Sequence, residues 1–306
     1  MAADAVLLIA FGGPTRPEEI RPFLANVAQG RAIPAARLAE VAHHYELIGG
    51  RSPLNELTFR QARKLETALA ATGTPLPVYV GMRNWEPYIA DTFARMAADG
   101  VRHAVGVILS PHASEASRER YTERVDAARA ALGATAPEIR WVAPWYVHPL
   151  FVTAVADATV AALVTVPIGR RAEAPLVFTA HSIPTAMAER SPYVTELTAS
   201  ARAVAERLHQ PRWQVAYQSR SGNPREPWLE PDVGDALRTL AGTGARDAVV
   251  VPVGFVCDHV EVLYDLDVDA RATAAGLGLG FARASTVNDH PLFIRMLADV
   301  VRDASR

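Results

Sequence analysis

Short uninterrupted apolar runs recur along this chain, each closed by turn-forming residues and followed by a longer stretch in which apolar positions return every three or four residues. The runs are AVLLIAF (5–11), LPVYVGM (76–82), HAVGVIL (103–109), PLVFTA (175–180), QVAYQ (214–218) and AVVVPVGFV (248–256). A strand that is apolar at successive rather than alternate positions is buried on both faces, the condition of a parallel sheet between two layers of helices. The segments between predict helices near 17–28, 35–47, 54–72, 87–99, 115–132, 149–165, 194–209, 232–242, 259–275 and 291–304. Strands and helices alternating in this way predict a doubly wound α/β fold.

The two halves of the chain read alike. The first runs from a strand ending in AFGGP through VYVGMRNWEP to DGVRHAVGVILSPHASE; the second runs from a strand ending in AHSIP through VAYQSRSGNPREPWLEP to TGARDAVVVPVGFVCDHVE. Three strand ends correspond in order, which is the mark of an internal repeat. Two similar lobes are expected, residues 1–147 and 148–306, joined through APWYVHP, with the final helix packing back on the first lobe. Ligands of open parallel sheets bind beyond the carboxyl ends of the strands, so a cleft between two such lobes is the expected place for function.

Composition narrows the options. With 306 residues and 50% hydrophobic content the chain is long enough for two cores. A net charge of -2, with no dense basic run, gives no reason to expect a nucleic-acid partner. Lys64 is the only lysine and Cys257 the only cysteine, so Schiff-base chemistry has one poor candidate, and an internal disulfide or a thiolate metal site has none. The apolar start, MAADAVLLIAFGGP, lacks a basic leader and is too short to cross a bilayer, which takes about 20 residues. A cytoplasmic protein without stable membrane insertion is expected. No GxGxxG, GxxxxGK[ST], GxSxG or HExxH occurs, so no nucleotide is expected.

Two segments carry candidate chemistry. His181 closes the strand PLVFTA and is followed by Ser-Ile-Pro, a turn that Pro184 stiffens. A lone histidine in such a place as often serves loop backbone groups as it does chemistry. In GFVCDHVEVLYDLDVDA, Glu261, Asp265 and Asp269 recur every four residues, on one face of a helix, with no lysine or arginine between Cys257 and Ala270. Like charges at that spacing repel by a few tenths of about 1 kcal/mol per pair. A solvated helix capped by Asp258, with Glu261 completing a capping box, accounts for Glu261 but poorly for Asp269, two turns in. The row also suits the path of a hydrated divalent cation. By spacing alone the two accounts stand level. His112 is a candidate cleft residue and His43-His44 a surface pair, while Trp228 and Tyr121 offer flat apolar surface, although aromatics near strand ends are more often core.

AFGGP, HYELIGGRSPLNE, GMRNWEPYI, FTAHSIP, YQSRSGNPREPWLEPDV and PVGFVCDHVEVLYDLD resemble, in order and over nearly the whole length, blocks of the ferrochelatases, which insert ferrous iron into porphyrins. FTAHSIP and VGFVCDHVEVLYD are the specific signals. The resemblance is closest to the short bacterial type, including actinobacterial members often assigned to coproporphyrin III. It implies two Rossmann-like lobes, with His181 and Glu261 as the inner catalytic and metal pair and Asp265 and Asp269 as an outer metal row. Phe11 falls where relatives place a residue, often tyrosine, against the porphyrin metal; phenylalanine cannot ligate iron. His44, Tyr45, Ser52, Tyr121 and Trp228 match porphyrin-contacting or cleft-wall positions. Many actinobacterial relatives carry four cysteines for a [2Fe–2S] cluster, which a chain with Cys257 alone is expected to lack. Transient contact with neighbouring haem-pathway enzymes is a further implied partner.

The chemistry fits the residues. Metal insertion exchanges two pyrrole N–H protons for one divalent ion, which asks for a proton acceptor, a metal donor and a wall that bends the ring. Imidazole accepts protons near neutral pH or ligates Fe²⁺, and carboxylates are oxygen ligands that release the ion. Arg31, Arg51 and Ser52 are candidates for the propionates. A chelatase loading cobalt or iron into sirohydrochlorin is the alternative enzyme, marked by paired histidines; a non-catalytic haem or metal binding protein is the alternative without chemistry.

Overall fold

The computed structural model describes residues 2–29, 33–221 and 225–305. In chain order, strand β1 (Ala5–Ala10) leads through a short 3-10 turn to helices α1 (Ile20–Ala28), α2 (Ala35–Leu47) and α3 (Leu54–Ala71). Then come β2 (Val78–Met82), α4 (Ile89–Ala98), β3 (His103–Ile108), α5 (Arg120–Leu132) and β4 (Glu138–Trp141). The second half comprises α6 (Pro149–Thr165), β5 (Leu176–His181), α7 (Thr185–Glu189), α8 (Tyr193–Arg207), β6 (Trp213–Gln218), α9 (Val233–Gly242) and β7 (Asp247–Val251). It closes with α10 (Val260–Leu263), α11 (Arg271–Gly276), β8 (Gly280–Arg283) and α12 (Pro291–Ser305).

The chain forms two compact units, one of residues 1–111, 115–145 and 288–306, the other of 112–114 and 146–287. The chain passes from the first unit to the second between Trp145 and Tyr146 and returns between Val287 and Asn288. Helix α12 belongs to the first unit and packs on α3, where Gln61 Nε2 donates to the Asn288 carbonyl at 2.7 Å.

Each unit holds one four-stranded parallel sheet, in the order β2-β1-β3-β4 and β6-β5-β7-β8. The equivalence extends to the loops: the Met82 amide donates to the Pro87 carbonyl at 2.7 Å, and the Tyr217 amide to Pro231 at 2.9 Å. β1 and β7 are buried at every position, as runs apolar on both faces require. In the first unit Leu7, Ile9, Phe93 and Met96 share a core; in the second, Val177, Leu237, Val250, Val262 and Leu266 do.

Several local expectations change. The edge strands β4 and β8 were not anticipated, because β4 reads EIRW, alternately exposed and half-buried, instead of running continuously apolar. The short helix α7 was not anticipated either. The run 248–256 ends as a strand at Val251, after which Pro252 opens a turn and the Gly254 amide reaches the Thr179 carbonyl at 3.0 Å. The expected helix 259–275 is not one α-helix: between α10 and α11, residues Asp265–Ala270 form a π-helix, in which the Asp269 amide donates to the Tyr264 carbonyl at 3.0 Å. A π turn takes more residues than an α turn, so side chains four apart stay closer to one line. Val262, Leu266, Ala270 and Ala274, all buried at 0–1% exposure, use that spacing to fill the core. Glu261, Asp265 and Asp269, each one residue earlier, are thereby carried along the side of the segment.

Candidate active site

The second unit assembles the histidine and the carboxylates. His181 is the last residue of β5, paired in register with Gln218 at the end of β6. The phenolic hydroxyl of Tyr193, from α8, donates to the His181 carbonyl at 2.8 Å, and the Ser182 amide donates to the Gln218 carbonyl at 2.7 Å. On the ring, Nδ1 meets the Ser182 carbonyl, so that nitrogen carries a proton, and Nε2 is left facing Glu261 Oε1 at 3.5 Å. The two side chains retain 29% and 32% exposure.

The segment carrying Glu261 starts on His259. The His259 Nδ1 accepts from the Glu261 amide at 3.1 Å, making the histidine the N-cap of α10. Asp258 therefore does not cap this helix as the surface-helix account supposed; its carboxylate is taken by Arg283 at 3.3 Å and Thr286 at 3.2 Å. The Glu261 carbonyl accepts from Gln218 Nε2, and Asp265 accepts from the Ser219 hydroxyl. Ser219 has a left-handed φ of 63°, a cost of about 1–3 kcal/mol for a residue with a Cβ. Asp269 is exposed.

These neighbours set the charges. Burial presses the His181 imidazole down, but Glu261, the Ser182 carbonyl and Asp265 outweigh it and push it up to about 9. Burial pushes Glu261 up, and His181 and His259 outweigh that and hold it below the usual carboxylate range. Asp265 is pushed up to about 7, by burial first and then by Glu261 and Asp269, against Ser219 and His181. Burial holds His259 below its ordinary value, consistent with Nδ1 as an acceptor. At neutral pH the arrangement is an imidazolium–carboxylate pair beside a carboxyl that shares its proton with solvent. Such a set can take up, hold and release protons. Among the described residues no three histidine, cysteine or acidic side chains converge as a ready metal cage, so His181, Glu261, Asp265 and Asp269 form a pair and a row.

The first unit holds the remaining candidates. Phe11 follows β1, half-buried, and meets Phe23 edge-on at 6.3 Å. Tyr45 and Tyr121 are buried at 4% and 6%, Tyr45 against Phe23. Ser52, 5% exposed, lies under Gly13 and accepts from the Leu54 amide at 3.3 Å. His44 is half-buried on α2, Arg51 is exposed, and Arg31 lies outside the described residues. In the second unit Trp228 is half-buried and forms an isolated bridge with Pro184, in the turn after His181. His112 is 1% exposed, held by Ser200 at 2.9 Å, and burial presses it down to about 3, so it is a neutral core histidine instead of a cleft residue.

Arg83, which sequence patterns had not singled out, lies with its guanidinium 5.6 Å from the Phe11 ring and 5.4 Å from the Tyr121 ring. Its Nη1 donates to the Ala116 carbonyl at 3.1 Å, and no ion pair holds it among the described residues. Burial lowers its pKa. Its place in GMRNWEP, after a strand end of the internal repeat, was the available signal.

Two α/β units, each built on one four-stranded parallel sheet, form a chelatase-like fold. In fold the chain is similar to SirB from Bacillus subtilis with Fe³⁺, at TM-score 0.59 and 12% identity over 98% of this chain and 95% of that one. It is also similar to the sirohydrochlorin chelatase SirB from Bacillus subtilis subspecies spizizenii in complex with cobalt, at TM-score 0.56 and 13% identity over 98% and 94%. In sequence, the ferrochelatase family model matches residues 3–305. The coproporphyrin III ferrochelatases of Mycolicibacterium smegmatis and Nocardia farcinica are each 45% identical to it, over 304 and 311 residues, covering 98% and 99% of this chain and 89% and 88% of theirs. The chain belongs to the ferrochelatase family, and is an enzyme of the lyase class. No helix among the described residues is long and apolar enough to cross a membrane.

Proposed function

We propose that this enzyme inserts Fe²⁺ into coproporphyrin III during haem biosynthesis, with His181 and Glu261 at the reacting centre and Asp265 and Asp269 on the metal and proton path. The observation that carries this is the 3.5 Å approach of His181 Nε2 to Glu261 Oε1, at a strand end and beside a row of carboxylates. The choice of porphyrin is supported by the 45% identical relatives, which act on coproporphyrin III by name.

An imidazolium can neither take a pyrrole proton nor bind iron. The proton on His181 is held largely by Glu261. A divalent ion arriving at the carboxylates cancels that attraction, so metal arrival frees Nε2 to act as base or ligand, while Nδ1 stays committed to Ser182. Asp265, titrating at about 7, is the group that passes released protons outward, with Asp269 exposed beyond it. Phe11 supplies no ligand atom and serves as an apolar face for the ring. Arg83, stacked on Phe11 and Tyr121, supplies a positive charge for a propionate; Tyr45 and Ser52, being buried, shape that wall from behind. The reaction so described uses no nucleotide and no iron–sulfur cluster, in a cytoplasmic enzyme.

The deciding experiment is anaerobic Fe²⁺ insertion into coproporphyrin III and protoporphyrin IX, followed by the change in visible bands. Faster turnover of coproporphyrin III is expected. Insertion into neither, with sirohydrochlorin loaded instead, would overturn the proposal.

A further inference from the structure

Arg283 ends the edge strand β8, beside β7. Its guanidinium forms a fork on Asp267, with Nη2 to Oδ2 at 2.6 Å and Nε to Oδ1 at 2.9 Å, while Nη1 reaches Asp258 Oδ1 at 3.3 Å. The side chain is only 13% exposed, and Thr286 donates to the same Asp258 oxygen at 3.2 Å. Asp258 stands three residues before Glu261, and Asp267 two residues after Asp265. One cation thus grips the chain on both sides of the segment that carries Glu261 and Asp265.

That segment needs an external hold. α10 is four residues long, far below the length at which a helix sustains itself, and the π-helix that follows is a rare form usually kept by its surroundings. Relaxing the π turn to an α turn would rotate one end of the segment against the other by about 100°, the step of one residue. The core row Val262, Leu266, Ala270 and Ala274 holds the buried side. Outside that row the grip comes from Asp267, which Arg271 also touches at 3.2 Å from an exposed position.

We infer that Arg283 is a positioning residue for iron delivery, fixing the π-helical register that sets Glu261 and Asp265 toward His181. It acts through Asp258 and Asp267. The inference rests on the proposed function for its kinetic consequence, but its structural half stands apart.

The test compares wild type, Arg283→Met and Arg283→Lys. Loss of partners that orient metal-binding groups typically costs 10- to 100-fold, so Arg283→Met is expected to raise the KM for Fe²⁺ by about tenfold. Its affinity for coproporphyrin III, read by fluorescence titration, should stay at the wild-type value. Lysine keeps the charge but cannot reproduce the fork, so Arg283→Lys should fall between the two. Amide hydrogen exchange across 259–271 should quicken in both variants, whether or not iron is inserted. A folded Arg283→Met protein with wild-type KM for Fe²⁺ and wild-type exchange would overturn the inference; should that variant not fold, the same result for Arg283→Lys would do so. Wild-type protein that inserts no iron, yet shows the exchange difference between variants, would overturn the functional proposal and leave the positioning role intact.

Discussion

The His181 Nε2 and the Glu261 Oε1 stand 3.5 Å apart, while the other ring nitrogen is committed to the Ser182 carbonyl. A proton on the free side of the ring therefore faces the Glu261 carboxylate. His181→Ala removes the base that this proton occupies, and general acid–base catalysis is worth about 100-fold or more. Steady-state Fe²⁺ insertion by the variant is expected at or below one-hundredth of the wild-type rate, with porphyrin binding retained. Activity above about a tenth of wild type would remove His181 from the centre.

Asp265 is held at about 7 against an ordinary value near 3.8. A carboxyl raised in this way favours the folded state while protonated, so its contribution is complete below about pH 4 and is lost as pH rises through 7. Asparagine keeps the shape without the charge. Asp265→Asn is therefore expected to melt higher than wild type at pH 8, with the gap closing toward pH 4, while the KM for Fe²⁺ rises. Melting curves across that range check the sign, and a gap that widens as pH falls would refute the account.

Much of this was legible in the sequence, and the rest was hidden for physical reasons. Strands buried on both faces are continuous apolar runs, so β1, β3, β5 and β7 stand out, whereas an edge strand such as β4 needs only Ile139 and Trp141 turned inward. The spacing of Glu261, Asp265 and Asp269 was plain, but four-residue spacing fits both an α and a π turn. What separates them is the Arg283 grip and the buried row beginning at Val262, which only the tertiary structure supplies. Arg83 drew no notice because its meaning depends on Phe11 and Tyr121, brought to it from distant parts of the first unit.

That stacking gives a prediction specific to the porphyrin. Arg83→Met keeps the bulk against the two rings and removes the charge, and a hydrogen bond to a charged group is worth about 1.5–3 kcal/mol. The KM for coproporphyrin III is expected to rise about tenfold or more, with the KM for Fe²⁺ unchanged. A rise in the iron KM alone would place Arg83 on the metal path instead.

Gly254 lies in the turn after β7, where its amide donates to Thr179. A Cβ placed there would stand 2.4 Å from the Ala180 Cβ and 2.7 Å from the Ala180 Cα, the residue just before His181. Backbone cannot yield as a flexible side-chain tip does, so either the turn lifts or the end of β5 is pushed aside. Overpacking of this kind costs about 1–3 kcal/mol. Gly254→Ala is expected to lower the melting temperature by several degrees and, because the displaced strand end carries His181, to lower kcat more than it alters either KM. If the melting point falls while kcat stays at the wild-type value, the turn alone has moved and the strand end does not depend on this contact.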